Sequence, residues 1–513
     1  CEERKELYMN IQKPNIIFFL TDDLGYGDVS CMNPESKIHT ENIDRLAREG
    51  MRFTDCHASS AVCSPSRYAL MTGRYNWRSE LKNLVLPGVS RALIEPGRET
   101  IASMLKKQGY HTACVGKWHL GMDWETVGDT KLTIHMPEVD KRRDDLGLDY
   151  TKPIKNGPNA KGFDYYFGMA ASLDQAPYLF IENDMAQAVP DCIIGSDDCD
   201  HASPGTEFLY DKGPAWSGFD LEQAVPTCDQ KVLDLIDQWA GQEEPFFIYY
   251  PTLAVHGPLL PTDEFKGKSG LGAYGDFVLQ VDAFIGRLEA KLDEKGIADN
   301  TIVVFTSDNG CSSIVGFEAL AKHGHNPNYI FRGSKSDIWE GGHRVPMVIR
   351  WPGHIQPGTT CEQTMCLVDF FATFAQLTGY QIPDNAAEDS VSILPLMEGS
   401  QEPIREATVH HSFFGSFSIR KGDWKLEMCN GSGGGTLPNW APAAADLPPI
   451  QLYHLSEDIG ETKNVYQEYP EKVEELKQLL TQYIVTGRST PGAPQENFPC
   501  ENWPGLEWLQ QAN

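Results

Sequence analysis

Unbroken apolar runs of strand length recur along the chain: Ile16-Ile17-Phe18-Phe19-Leu20, Phe246-Phe247-Ile248-Tyr249-Tyr250 and Ile302-Val303-Val304-Phe305. Runs of this length without polar alternation predict strands buried on both faces, as in a parallel sheet covered by helices. His111 to Val115 and Met347 to Arg350 predict two more strands. Between them the spacing changes. Ile43, Leu46 and Ala47 predict an amphipathic helix within 42–51, and Ile101, Met104 and Leu105 the buried face of a second. Further helices are expected around Val232 to Ile236 and from Asp369 to Leu377. The alternation predicts an α/β fold, a large mostly parallel sheet sandwiched by helices.

From about Trp124 to Asp220 the pattern becomes irregular, with charged and Gly/Pro-containing stretches. Insertions of this kind carry substrate contacts more often than core packing, and Asp174 is a polar candidate there. The composition turns polar near Pro383 to Asp389. Beyond it come short strand-like runs (Phe417 to Arg420, Asp423 to Glu427, Gln451 to Leu455), a glycine-rich loop at Gly431 to Gly435, and a helix from about Pro470 to Val485. At 513 residues the chain exceeds what one core supports. The expected division is a leader segment (1–13), a catalytic domain (14–385) and a C-terminal subdomain (386–513).

Apolar residues at 41% and charged residues at 22% fit a globular protein, and no stretch has the length and apolarity of a membrane span. The net charge of -29 argues against a nucleic-acid partner. An anionic substrate would need a local positive site on this negative body. Thirteen cysteines are too sparse for a disulfide scaffold. Cys192 with Cys199, and Cys361 with Cys366, remain candidate pairs that only geometry decides. Cys1 resembles the lipid-attachment residue of a bacterial lipoprotein; a chain start that merely falls on cysteine is the other reading.

The chemistry gathers at the strand exits. The first run ends in Asp22-Asp23 and the third in Asp308-Asn309. Adjacent carboxylates at the C-terminal edge of buried strands need a cation, and an all-oxygen set favours calcium or magnesium over zinc. Lys117 and His119 follow one strand, and His256 follows another. Cys63-Ser64-Pro65-Ser66-Arg67 reads as a helix start, where free amides attract anions. Each has a plainer reading: a buried thiol for Cys63, surface loop residues for Lys117 and His119, a packed loop residue for His256. His410-His411, at the start of the subdomain, are candidates to face the pocket or ordinary strand residues.

Cys63-Ser64-Pro65-Ser66-Arg67 followed by Leu70-Met71-Thr72-Gly73-Arg74 resembles the signature of the type I sulfatases, the formylglycine-dependent branch of the alkaline phosphatase superfamily. Gly116-Lys117-Trp118-His119-Leu120-Gly121 resembles a second motif of that family. Arg332-Gly333-Ser334-Lys335 with Glu340-Gly341-Gly342-His343-Arg344-Val345-Pro346 resembles a third, with Ser334 where glycine is usual.

The resemblance implies a small antiparallel sheet with a packed helix for the C-terminal subdomain. It implies that Cys63 is oxidised by formylglycine-generating machinery to formylglycine, whose hydrated aldehyde is the nucleophile. A second hydroxyl on the same carbon then lets sulfate be expelled, a route closed to a thiol. Calcium would be held by Asp22, Asp23, Asp308, Asn309 and the modified Cys63. Lys117 and Lys335 would bind sulfate, Arg67 would orient the nucleophile, His119 would accept a proton, and His256 would protonate the leaving alcohol. Asp174, His410 and His411 are the candidates for sugar contact.

The implied activity is hydrolysis of sulfate esters on a carbohydrate, of galactose or hexosamine type, by a periplasmic, cell-surface or secreted enzyme. The alternatives are a formylglycine-dependent phosphodiester or phosphonate monoester hydrolase and a non-catalytic glycan-binding protein.

Overall fold

The computed structural model describes residues 13–134, 144–195, 210–436, 447–503 and 505–510. Cys1, Cys199 and the rest of the leader up to residue 12 lie outside them. Eighteen strands are numbered in chain order: β1 (Asn15–Thr21), β2 (Met51–Phe53), β3 (Cys56–His57), β4 (His111–Lys117), β5 (Tyr165–Met169), β6 (Ile181–Glu182), β7 (Met185–Ala186), β8 (Cys192–Ile194), β9 (Gly213–Ala215), β10 (Phe246–Pro251), β11 (Thr301–Ser307), β12 (Met347–Arg350), β13 (Thr359–Cys361), β14 (Met365–Cys366), β15 (Thr408–His411), β16 (Phe417–Lys421), β17 (Trp424–Glu427) and β18 (Gln451–His454).

The unbroken apolar runs lie at the centre of a ten-stranded mixed sheet, in the order β13-β2-β12-β11-β1-β10-β4-β5-β6-β7. Strand β1 is parallel to both β10 and β11, and β10 is parallel to β4. Strand β12 runs antiparallel to β11 and β2. Alternate residues of β1 feed different cores. Ile16, Phe18 and Leu20 pack with the helices Cys63–Thr72, Ile101–Lys107 and Phe370–Thr378. Ile17 and Phe19 pack on the other face with the helices Glu41–Glu49, Ala224–Trp239 and Gly272–Glu294. Both faces are covered, which explains why these strands lack polar alternation.

The long helix Gly272–Glu294 is absent from the sequence reading, although Phe277, Val281, Phe284, Ile285, Leu288 and Leu292 form its buried stripe. Cys361 and Cys366 are both free thiols, so the proposed bridge between them does not form. Strands β15 to β18 form a four-stranded antiparallel sheet covered by the helix Pro470–Val485. Its core, with Phe417, Ile419, Leu426, Leu476 and Leu480, continues into Ala69, Tyr75 and Trp77 of the large unit. The subdomain therefore packs directly on the helix that begins at Cys63.

Asp229, on the helix Ala224–Trp239, is buried and accepts hydrogen bonds from the Tyr250 hydroxyl at 2.6 Å and from Arg287 Nη2 at 2.9 Å. Burial outweighs both donors and pushes its carboxyl up to about 7. An unfolded aspartate titrates near 3.9, so the folded chain holds a proton that the unfolded chain has released. The stability this contributes is complete below about pH 4 and is lost as pH rises toward 7. The prediction is that the stability of the wild type relative to Asp229→Asn falls across that window, by up to about 1.4 kcal/mol per pH unit, and levels off above it. Thermal unfolding of both proteins at a series of pH values measures this, and a pH-independent offset would refute it.

Candidate active site

The parallel register brings the ends of β1, β11, β10 and β4 to one edge of the sheet. Thr21 lies opposite Ser307, and Leu20 opposite Pro251. The ladder then continues through the loops: Asp308 N donates to Thr21 O at 3.1 Å, Asp22 N to Ala254 O at 2.9 Å and Val255 N to Asp22 O at 2.8 Å. Asp22, Asp308 and the segment leading to His256 are thus fixed by main-chain bonds before any side chain is considered. Asp23 adopts φ 63°, a left-handed conformation costly for a residue with a Cβ.

The helix Cys63–Thr72 points its first turn at this edge. Val62 precedes it in extended conformation, and Pro65 sits in the first turn, where its missing N–H removes no helical bond. Gly73 ends it at φ 64°, donating to Ala69 O, and all ten helical residues are buried. Cys63 Sγ lies 3.6 Å from Asp22 Oδ1. Burial pushes the Cys63 thiol far up, so the unmodified side chain stays neutral at physiological pH.

Three cations interleave with the three carboxylates. Arg67 donates from Nε and Nη2 to Asp308 Oδ2 at 2.9 and 2.7 Å and from Nη1 to Lys117 O at 3.1 Å. Lys117 Nζ donates to Asp22 Oδ2 at 2.6 Å, and Lys335 Nζ to Asp23 Oδ2 at 2.7 Å. Burial works against ionisation of Asp22, but Lys117, His256, Arg67 and Lys335 outweigh it and hold the carboxyl well below its ordinary range. Burial and the neighbouring Asp22 push Asp308 up.

Asn309 Nδ2 donates to Asp23 Oδ1 at 2.7 Å, while its buried Oδ1 has no partner. Asp22, Asp23, Asp308 and the orphaned Asn309 oxygen form a set of hard donors suited to calcium or magnesium. Cys63 and His256 come close enough to Asp22 and Asp23 to complete such a cluster. The three carboxylates balance Arg67, Lys117 and Lys335, so a divalent ion would leave a local excess of positive charge. That excess suits an anionic ester.

The two histidines differ in surroundings. His119, at φ 50°, is buried with Nε2 3.0 Å from Leu86 O. A carbonyl can only accept, so Nε2 carries the hydrogen and the partnerless Nδ1 holds a lone pair. Burial, reinforced by Lys117, keeps this ring neutral by lowering its pKa well below the ordinary value. His256 is 14% exposed, with Nε2 3.6 Å from Asp23 Oδ2 and Nδ1 3.9 Å from Asp174 Oδ1. Asp174 is 32% exposed and accepts from Ser172 Oγ. The structure therefore brings Cys63, Arg67, Lys117, His119, His256, Lys335, the four metal candidates and Asp174 to one edge.

The rings of His410 and His411 are buried away from solvent, although the His411 carbonyl accepts from Ser60 Oγ and Ala61 N just before Cys63. His410 is fully buried and stacks on His343, with ring centroids 3.9 Å apart and planes at 7°. His411 is buried against Phe417 and lies 3.3 Å from Asn76 Nδ2. Neither ring offers a face to a sugar, which corrects the substrate-binding role expected of them. The period-two alternation of β15 does turn them apart, but packed residues cover both sides. His57, His343 and His410 also cluster, but the stacked rings of His343 and His410 cannot both direct an in-plane nitrogen to one ion.

The sequence reading missed Leu86 and Ser64. Ser64 Oγ accepts from Leu86 N at 3.2 Å, which fixes the carbonyl that sets the His119 tautomer. A role carried by a main-chain carbonyl leaves no trace in residue type; Ser64, inside the Cys63 motif, was the only available hint.

The family model described as Sulfatase matches residues 14–380. The N-acetylgalactosamine-6-O-sulfatase of Bacteroides thetaiotaomicron is 34% identical over 519 residues, covering 94% of this chain and 95% of that protein. Human arylsulfatase A is 30% identical, covering 91% of this chain and 87% of that protein. A solved Bacteroides thetaiotaomicron structure, described with the metabolism of multiple glycosaminoglycans, is 33% identical with a TM-score of 0.79, covering 92% of this chain and 99% of that one.

The strand-edge donors predict a stabilising divalent ion. Calcium added to metal-stripped protein is expected to raise stability by about 2.7 kcal/mol at a hundredfold excess over its Kd. Asn309→Ala should require more calcium for the same rise in Tm. No calcium-dependent change in Tm for the wild type would contradict this ligand set.

Proposed function

Because the chain belongs to the sulfatase family and is a sulfuric ester hydrolase, we propose that it removes the 6-O-sulfate from N-acetylgalactosamine units of a sulfated glycan. The observation that carries the site reading is the convergence of Lys117, Lys335 and a helix start on Cys63 at the edge bearing Asp22, Asp23 and Asp308. The hexosamine, and position 6, rest on the N-acetylgalactosamine-6-O-sulfatase relative.

Cys63 converted to formylglycine supplies an oxygen nucleophile on a carbon able to revert to the aldehyde. Asp22, Asp23, Asp308, Asn309 and the modified residue 63 would hold calcium, which when bound would supply neutralising charge for the sulfuryl oxygens. Lys117, Lys335 and the free amides of the helix start bind those same oxygens, in a site preorganised by main-chain bonds. Arg67 ties the nucleophile's helix to Asp308 and to the carbonyl of Lys117, so nucleophile and anion site share one frame. His256, at the mouth beside Asp174, donates a proton to the leaving sugar oxygen. Asp174 accepts a sugar hydroxyl there. His119 presents its Nδ1 lone pair to take the proton released as sulfate departs.

Formylglycine-generating machinery is a required partner. A sulfated glycan substrate suits work in the periplasm, at the cell surface or outside the cell. Among the described residues no helix is long and apolar enough to cross a membrane.

Incubation of the modified enzyme with 6-sulfated and 4-sulfated N-acetylgalactosamine should release sulfate from the 6-sulfated sugar. Cleavage of aryl phosphodiesters with no sulfate released from any sugar would overturn the reading. Lys335→Ala should lower kcat/KM by about 10²–10³-fold. His256→Ala should slow the sugar sulfate by about 10²–10⁴-fold while sparing an aryl sulfate whose leaving group needs no proton. Equal losses on both substrates would remove His256 as the general acid.

A further inference from the structure

Lys335 lies in the loop between the helix Phe317–Lys322 and the short helix Glu340–His343, and the main chain around it is tied on several sides. Lys335 N donates to Cys311 O at 2.8 Å, Ser336 N to Ala61 O at 2.8 Å, and Phe413 N to Ser336 O at 2.9 Å. Ser336 holds φ 84°, a left-handed conformation that a side-chain-bearing residue keeps only when its surroundings impose it.

The flanks of this segment are tied by the carboxylate of Asp337. It is fully buried and reaches the C-terminal subdomain at Thr436. Its Oδ2 accepts from Ser334 N at 2.9 Å and from Ser334 Oγ at 3.4 Å; its Oδ1 accepts from Thr436 N at 3.0 Å. One oxygen therefore holds the residue before Lys335 and the other holds the end of the glycine-rich loop. That loop is closed on itself and on the same segment: Ser432 Oγ donates to Thr436 O at 2.6 Å, Gly434 N donates to Ser432 Oγ at 3.1 Å, and Ile338 N donates to Ser432 O at 2.6 Å. It also packs against the peptide joining Ser336 and Asp337. A Cβ on Gly434 would fall 2.1 Å from Ser336 O and 2.7 Å from Asp337 N, so only glycine lets the two chains meet.

We propose that Asp337 is a positioning residue for anion recognition: together with the loop Gly431 to Thr436 it clamps the Ser334 to Ser336 peptides, so that Lys335 Nζ is held at the substrate's sulfate. The C-terminal subdomain thereby sets the affinity of a site whose ligands all come from the large sheet. A long, rotamer-rich lysine loses less freedom on binding when its own main chain is already fixed. The inference rests on the reading of Lys335 as a sulfate ligand, and the test separates the two.

Three variants of the full chain are compared, with calcium present and rates normalised to the formylglycine content at position 63: Asp337→Asn, Thr436→Pro and Lys335→Ala. Thr436 is exposed, so Thr436→Pro removes the N–H that Asp337 accepts without disturbing the core. KM and kcat are measured on a sulfate ester, and inorganic sulfate is titrated as a competitive inhibitor. For Asp337→Asn and Thr436→Pro, KM and the inhibition constant of sulfate should rise together, by about five- to tenfold, as expected for loss of part of a charge-assisted contact. Their kcat should change less than about twofold. Lys335→Ala should raise both constants further.

If both constants are unchanged in the Asp337 and Thr436 variants while Lys335→Ala raises them, the clamp is wrong and the lysine reading stands. If Lys335→Ala leaves them unchanged, the lysine reading fails as well. A lower Tm with unchanged KM in the Asp337 and Thr436 variants would reduce Asp337 to a structural residue and also overturn the proposal. Should Asp337→Asn fail to fold, Thr436→Pro alone decides.

Discussion

Asp22, Asp23 and Asp308 leave the sheet within a few ångströms of one another in an interior closed to water, and the rest of the site follows from the need to keep them ionised. Stranding one such charge without a partner costs about 3–5 kcal/mol. The fold answers with Arg67 from the helix that begins at Cys63, Lys117 from the end of β4 and Lys335 from the loop between the helices Phe317–Lys322 and Glu340–His343. Each cation arrives on a different element, so the charge cluster also acts as a joint. Arg67 is the one that ties the helix bearing Cys63 to the sheet edge, through Asp308 and the carbonyl of Lys117. A divalent ion among the same carboxylates would convert a balanced cluster into a positive one, and would give a protein of net charge -29 a local site for an anion.

The large sheet supplies the charges and the subdomain supplies constraint. Ser60 Oγ and Ala61 N both donate to His411 O, and Ser336 N to Ala61 O, so the segment entering the helix that begins at Cys63 is held by β15 and by the Lys335 loop together. Tyr75 and Trp77, just past that helix, are buried in the subdomain's core. Of the left-handed residues at the site, Ser336 lies on this joint, its carbonyl accepting from Phe413 N, while Asp23 and His119 are held by partners in the large unit.

Much of this was legible in the chain because the relevant signals are local. Unbroken apolar runs ending in Asp22-Asp23 and Asp308-Asn309 announce buried strands with charged exits, and the helix expected from about Pro470 to Val485 has those same ends in the structure. The motifs around Cys63, Lys117 and Lys335 could be joined only through a family resemblance, since nothing in their spacing says that their side chains meet. Other features were hidden by their physics. His410 and His411 look like pocket residues in a polar stretch, but burial depends on what packs against β15 from distant parts of the chain. Leu86 acts through a carbonyl common to every residue. Asp337 reads as one more loop carboxylate until Thr436, far along the chain, is seen to donate to it.

The central claim is conditional: Cys63 is the nucleophile's precursor, and in its buried, neutral thiol form it has no route to release sulfate. The most direct measurement prepares the enzyme with different degrees of conversion at position 63, determines the aldehyde fraction by mass spectrometry of the peptide containing it, and plots sulfate release per mole of protein against that fraction. A straight line through the origin is predicted. Appreciable turnover at zero aldehyde, or rates independent of the fraction, would contradict the account.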